Sequence, residues 1–487
     1  MFESRQFGRS EARSIAAGLA LAFIFSAINL DGAQTKPAKR RNPPAQPAQA
    51  SKAKKPGPTA VATKAAKSFD INYKEFKLKN GLRVLIAEDH HAPTFSICVT
   101  YNVGSRDEPP GRTGFAHLFE HMLFQGSANV GKGEHFILVQ QNGGRANGTT
   151  NPDRTNYYET LPANQLELAI FLEADRMRAP AITQANFDNQ RATVQEERRQ
   201  NYDNRPYGKT YEVALDLVYD NFAYKHSTIG SMADLNAATI EDAEAFFKTY
   251  YAPNNAVLSL VGSFKTDHAL ALIKKYFEDI PAQAPPQAPD MSEPEQQGER
   301  RKVIEDGFAQ TARLDIIYKI SPGNTPDWYA VELLGNVLSN GSSSRLYHKF
   351  VREKELALSV SADASERRGP ATFWFSIMAR PGADLAEIEK LLAEEIRRVQ
   401  TTPVSDAELS KLRMQLSRQR AQQLYSTRRR ANALGHFAVY YNDASLINKV
   451  WTIYRNVTPA DLQRVAQKYF RESNRSVLTT LPKNTAQ

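Results

Sequence analysis

Residues Gly111–Ser127 read GRTGFAHLFEHMLFQGS, and the rest of the chain is organised around the pentapeptide His117-Leu-Phe-Glu-His121 inside them. The two histidines are four apart, one turn of helix, so both imidazoles can leave the same face and hold one zinc ion. Glu120 stands beside that face, where a carboxylate can take a proton from a metal-bound water without being a ligand. Phe115, Leu118, Phe119, Met122, Leu123 and Phe124 surround the trio and would bury the helix in a core. The plain alternative is a pair of core histidines, but histidine is scarce here, 9 residues in 487. A catalytic zinc needs a third protein ligand and leaves its fourth position for water. The best supplier is the helix-like run Gln190-Arg-Ala-Thr-Val-Gln-Glu-Glu-Arg-Arg199. It offers Glu196 and Glu197, whose side chains diverge by about 100° on a helix.

The order His-x-x-Glu-His inverts the commoner zinc-peptidase order and is the inverzincin signature. Together with Arg191 and the Glu196-Glu197 pair, it makes the chain resemble the pitrilysin-type zinc metallopeptidases. Within them it is most similar to bacterial members related to the mitochondrial processing peptidase. Further matches are Asn80-Gly81, Gly143-Gly144 followed by Asn147 and Thr149, and Leu172-Glu-Ala-Asp-Arg-Met177. The likeness thus covers nearly all of the chain after residue 68. It implies an endopeptidase for peptides or unfolded protein segments, with Glu197 as third ligand, one zinc per chain and Glu120 as base. It also implies that the region of Asn147 and Thr149 binds substrate as a sheet edge, and that Arg352 helps to hold substrate from the C-terminal half.

Two departures from the family pattern stand out. Gln190 occupies a place where members often carry a second glutamate near the metal. The segment Arg352-Glu-Lys-Glu-Leu-Ala-Leu-Ser-Val360 keeps the arginine but is one residue short, with Leu358 where a tyrosine is usual. That gap motivates a reading in which the chain is the zinc-bearing half of a pair and a homologous chain without zinc completes it. Tyr347 nearby is the alternative source of a phenol, for a chain that works alone or as a homodimer.

The formal net charge is +9, but residues 1–67 carry all of it, with 12 basic and 3 acidic residues. The remainder is neutral overall, which gives no support to nucleic-acid binding. Residues 1–33 read as a secretory signal, with Arg5, Arg9 and Arg13 ahead of the apolar stretch Ile15 to Leu30. The expected location is periplasmic or secreted, an uncleaved membrane anchor being the alternative. Residues 34–67 are rich in Ala, Pro and Lys and cannot bury a core, so a disordered tether is expected. Cys98, the single cysteine, sits in a β-rich run and reads as a buried strand residue.

The folded part is expected as α+β, in two homologous domains facing each other as a clamshell. Each would be a mostly antiparallel sheet covered by helices. The first, 68–282, holds the zinc; a Pro- and Gln-rich joint spans 283–300; the second, 301–487, is degenerate. The repeat is visible in the residues: helix-like 239–251 before strand 256–261 is echoed by 458–470 before 477–481. Trp328–Leu338 takes the place of the zinc helix without a histidine pair. The competing function is a non-catalytic assembly subunit, as some relatives in respiratory complexes are, but those typically have eroded zinc motifs.

Overall fold

Asn80-Gly81 makes a tight turn, with Gly81 at φ 89°, between strand β1 (Lys74–Lys77) and strand β2 (Arg83–Glu88). These strands open a six-stranded sheet completed by β3 (Thr94–Tyr101), β4 (Arg145–Thr150), β5 (Thr155–Pro162) and β6 (Ala256–Gly262), in the order β1-β2-β6-β3-β5-β4. A second sheet contains β7 (Arg300–Asp306), β8 (Arg313–Ile320), β9 (Ala357–Ala364), β10 (Ala371–Ala379) and β11 (Arg475–Pro482), in the order β7-β11-β8-β10-β9. The computed structural model describes residues 70–483. The proposed signal (1–33) and tether (34–67) lie outside the described residues.

The two sheets repeat one plan. Leaving aside β1, which the first sheet adds at its edge, the first strand in each pairs in parallel with the last (β2 with β6, β7 with β11) and every other contact is antiparallel. Between the second and third strands of the plan lies a buried helix. It is α1 (Phe115–Met122) in the first half and Pro326–Ser339 in the second, the latter without a histidine pair. The α+β class, two mostly antiparallel sheets covered by helices, is therefore the observed architecture.

Alternation along the strands shows what covers the first sheet. Phe95, Ile97, Val99 and Tyr101 of β3 enter the core under α1, while Cys98 faces the other way. Leu258 and Leu260 of β6 share the first core, and Val257 and Val261 share the second. Both faces are covered, so the polar positions on the second face, Ser96 and Thr100 of β3 and Ser259 of β6, are buried as well, and Ser96 bonds the hydroxyls of Thr160 and Thr427. The cover on the second face comes from the other half of the chain. Helix Thr427–Tyr441 packs Ala431, Leu434 and Ala438 against Cys98 and Val261. A Cβ on its Gly435 would lie 2.5 Å from Thr100 Oγ1, so only glycine allows this approach. Cys98 is buried and its thiol is pushed up to about 11 by burial, as suits a packing residue.

The exchange is mutual. Between helices α2 (Glu134–Gln141), α3 (Leu166–Arg178) and α4 (Gln184–Arg198) of the first half and its last strand lies α5 (Thr210–Val218). Helix α5 sets Ala214, Leu215 and Val218 against Ile317 and Leu478 of the second sheet. Each half lends a helix to the other's sheet, and the described residues, 70–483, belong to one compact unit. The joint 283–300 is pinned as well: Glu293 accepts the amides of Asp220 and Asn221 and pairs with Lys319.

Candidate active site

Helix α1 begins at Gly114, which has φ 90°. Its first free amides meet a buried carboxylate: Glu108 accepts from Gly114 N at 2.9 Å and from Ala116 N at 2.8 Å. Carboxyl oxygens accepting there satisfy donors that the first turn of the helix leaves orphaned, while burial raises the Glu108 carboxyl well above the usual carboxylate range. All eight residues of α1 are buried, so the histidine face points into the protein rather than into solvent. The imidazoles of His117 and His121 lie one above the other, with ring centroids 4.7 Å apart.

Helix α4 brings Glu197 to them. Its Oε2 lies 3.7 Å from His117 Nε2 and 3.5 Å from His121 Nε2. Ligand atoms of a tetrahedral zinc, at about 2.0–2.1 Å from the metal, sit roughly 3.3–3.5 Å apart, so the trio has nearly that spacing. The other oxygen, Oε1, is buried without a hydrogen-bond partner. Glu196 points away, exposed, to Arg199 and Gln200. The neighbouring Arg198 fixes the end of α4 through Glu212 and the carbonyl of Gly230. Burial holds His117 well below the usual histidine range, lowers His121 to about 4 against a hydrogen bond to Gln190, and raises Glu197 to about 7. Neutral imidazoles are the form that can donate to a metal.

Glu120 leaves α1 toward β4, an edge strand of the first sheet. Thr150 Oγ1 donates to its Oε2. Two residues back on the same face, a Cβ at Gly148 would lie 3.0 Å from Glu120 Cγ and Oε1, so glycine makes room for the base. Burial lifts Glu120 to about 7, against the Thr150 bond and the charge of Arg154, with Glu197 adding to the rise. A carboxylate poised near neutral pH is suited to general-base work. On the opposite face of β4, Thr149 donates to Asn156, and Arg154 donates to the Thr149 carbonyl at 2.6 Å. Asn147 turns its side-chain carbonyl back to the amide of Gly148.

Two family models match the chain. Insulinase (Peptidase family M16) covers residues 83–230, and Peptidase M16 inactive domain covers residues 237–416. The chain belongs to the M16 peptidase family. It is 28% identical over 430 residues to the zinc protease PqqE of Helicobacter pylori, spanning 87% of this chain and 96% of that one. It is 22% identical over 411 residues to a probable mitochondrial-processing peptidase subunit beta of Arabidopsis thaliana, spanning 82% and 76%. A solved protease from Helicobacter pylori superimposes with a TM-score of 0.82 at 27% identity, covering 85% of this chain and 100% of that one.

In this M16 chain the other singled-out positions are spread apart. Arg352 lies on the helical turn Tyr347–Glu353 of the second half, its guanidinium 5.7 Å over the ring of Tyr347. Leu358 is 52% exposed near the start of β9, an edge strand of the second sheet. Gln190, by contrast, is at the site: its amide bonds His121, the place of a group that orients a ligand histidine. Glu108, Thr150, Gly148 and Arg154 escaped the sequence reading. Their link to α1 depends on strand pairing and loop approach, which residue types alone do not encode.

A second buried group, His135, Glu159 and Glu173, also has metal-ligand spacing. Its chemistry differs. His135 bonds Glu159, while Arg176 forks onto Glu173 and lies 4.3 Å over the ring of Tyr157 and 5.2 Å over that of Phe124. The guanidinium already supplies the positive charge, so this donor set fits a structural ion network rather than a cation site. It accounts for the run Leu172–Met177, which carries both Glu173 and Arg176.

Proposed function

We propose that the chain is a zinc-dependent endopeptidase acting on peptides or unfolded polypeptide segments, one zinc per chain held by His117, His121 and Glu197. The observation that carries this reading is the meeting of those three ligand atoms within 4.8 Å, with Glu120 beside them. The residues fit the metal: two neutral imidazoles, one carboxylate, and a buried Glu197 oxygen that has no hydrogen-bond partner. Relatives named zinc proteases support the same reading. A bound zinc supplies Lewis acidity, polarising the scissile carbonyl and making a water acidic near neutral pH. Glu120 takes the proton of the attacking water and returns it to the departing amine nitrogen. Thr150 fixes the carboxylate that does so. The open edge of β4 holds the peptide extended by main-chain hydrogen bonds, with Asn147 and Thr149 beside its backbone. We also propose export through residues 1–33 and two homologous halves, 68–282 and 301–487, joined by 283–300.

Metal analysis alongside peptide digestion tests the reading. Purified protein is expected to carry one zinc per chain, to lose turnover with a chelator and to recover it on adding zinc. Sub-stoichiometric metal together with chelator-resistant cleavage would overturn it.

The replacement at Leu358 favours a second form of the same activity, in which a homologous partner chain completes the site. A far wall without a well-placed donor leaves the scissile carbonyl less well oriented, and misplacement by about 1 Å can cost on the order of 10²-fold. The lone chain is then a weak peptidase, and Leu358→Tyr or a co-purified partner raises kcat/KM. Tyr347, already against Arg352, is the competing donor. Full turnover by the lone chain, unchanged by Leu358→Tyr and lost with Tyr347→Phe, would discard the partner form. The intact ligand set and base argue against a purely structural role.

A further inference from the structure

Where α5 crosses the second sheet, it leaves a cavity of about 340 Å³. One wall is Tyr207, Tyr211 and Leu215 of the first half; the other includes Trp374 of β10. The rings of Tyr211 and Trp374 stack with centroids 5.9 Å apart and planes 12° from parallel. Each ring is pinned at its polar end. Arg367 donates to the Tyr211 hydroxyl at 3.2 Å, and Trp374 Nε1 donates to the buried Asp315 at 2.7 Å. Tyr207 is held at φ 59°, a costly conformation for a bulky residue, by its amide on Asp306 and its hydroxyl on the Thr311 carbonyl. Tyr211 nevertheless stays 38% exposed, so a rigid aromatic face is presented rather than buried.

The two arginines of the cavity are already engaged. Arg313 forks onto Asp315, and Arg367 serves Tyr211 while lying 5.5 Å over the ring of Tyr224. Asp363, the lining carboxyl, is raised by burial. Arg313 and Arg367 are thus held by protein partners, and a flat apolar group finds pre-ordered rings at little cost in side-chain entropy. The cavity also lies near the proposed zinc site. Arg198, next to Glu197 on α4, links them: it donates to both oxygens of Glu212, the neighbour of Tyr211 on α5, and lies 5.8 Å over the ring of Tyr202.

We infer that this cavity is a specificity subsite that receives one aromatic side chain (Phe, Tyr or Trp) of the peptide lying at the zinc site. The inference rests on the peptidase reading for its occupant, and a binding measurement separates the two. The probe is a set of fluorescent nonapeptides identical except for one position, scanned as Phe, Ala or Lys, titrated onto zinc-loaded Glu120→Gln protein. At one position Phe is expected to bind about tenfold tighter than Ala or Lys, the size of a well-formed aromatic contact. Tyr211→Leu and Trp374→Leu should each erase that ratio while leaving the affinity of the Ala peptide unchanged, which also certifies that the variant is folded. If one variant does not fold, the other carries the test. A Phe preference that survives both variants, its absence at every position, or a Lys preference lost with Asp363→Asn would overturn the subsite. Failure of the wild-type protein to cleave any of these peptides, with Tyr211-dependent Phe binding intact, would instead remove the peptidase reading and leave the subsite standing.

Discussion

Glu120→Gln is expected to keep one zinc per chain and to lower peptide turnover by about 10²–10⁴-fold, the usual contribution of a general base. The amide preserves the shape of the side chain and can still accept from Thr150, whose hydroxyl donates to Glu120 Oε2. What it cannot do is accept a proton from the attacking water. The substitution leaves His117, His121 and Glu197, the residues whose ligand atoms meet, unaltered. The effect should fall on kcat with KM little changed, because the lost interaction exists only as the proton moves. Near-normal turnover with stoichiometric zinc would take Glu120 out of the mechanism. A matching loss of metal would mean that the carboxylate holds the site together instead of acting in it.

The largest stability effect is expected at Arg176. This guanidinium is 1% exposed, bonded to Glu173 and laid across Tyr157 and Phe124. Arg176→Met keeps the bulk but leaves the buried carboxyls of Glu173 and Glu159 facing each other without a cation. Breaking a buried ion pair from one side costs about 3–5 kcal/mol, far more than the pair contributes net, because the orphaned charge stays desolvated. The urea midpoint, followed by circular dichroism, should fall accordingly. Adding Glu173→Gln should recover part of the loss by removing the stranded charge. A decrease of less than about 1 kcal/mol for the single variant would mean that water or a rotated partner replaces the guanidinium. Phe124 also lies against Gly148, beside Glu120, so a partly loosened variant should lose activity before it unfolds.

The primary structure carried whatever depends on local spacing. Two histidines four apart share a helix face whatever surrounds them, and the glutamate before the second lies beside that face by the same geometry. The Asn80-Gly81 turn, the β-rich run of β3, the apolar run of β6, and the echo of 239–251 before a strand in 458–470 before a strand are equally local. They made the two-sheet α+β plan readable. The choice between Glu196 and Glu197 needed the family likeness, since a helix carries both and only the packing of α4 on α1 decides which faces inward.

Other features belonged to the tertiary structure alone. The clasp of Glu108 on the amides of α1, the Thr150 hydroxyl on Glu120 and the room left by Gly148 arise where a loop and an edge strand approach a helix across long sequence distances. So does the exchange in which Thr427–Tyr441 covers the first sheet and α5 covers the second, burying apolar faces that neither half covers by itself. It sets Tyr211 against Trp374, 163 positions apart in chain order. Residue type and periodicity determine which face of an element is apolar. Which distant element comes to cover it is settled by the free energy of burying both faces at once, and that is a property of the whole fold.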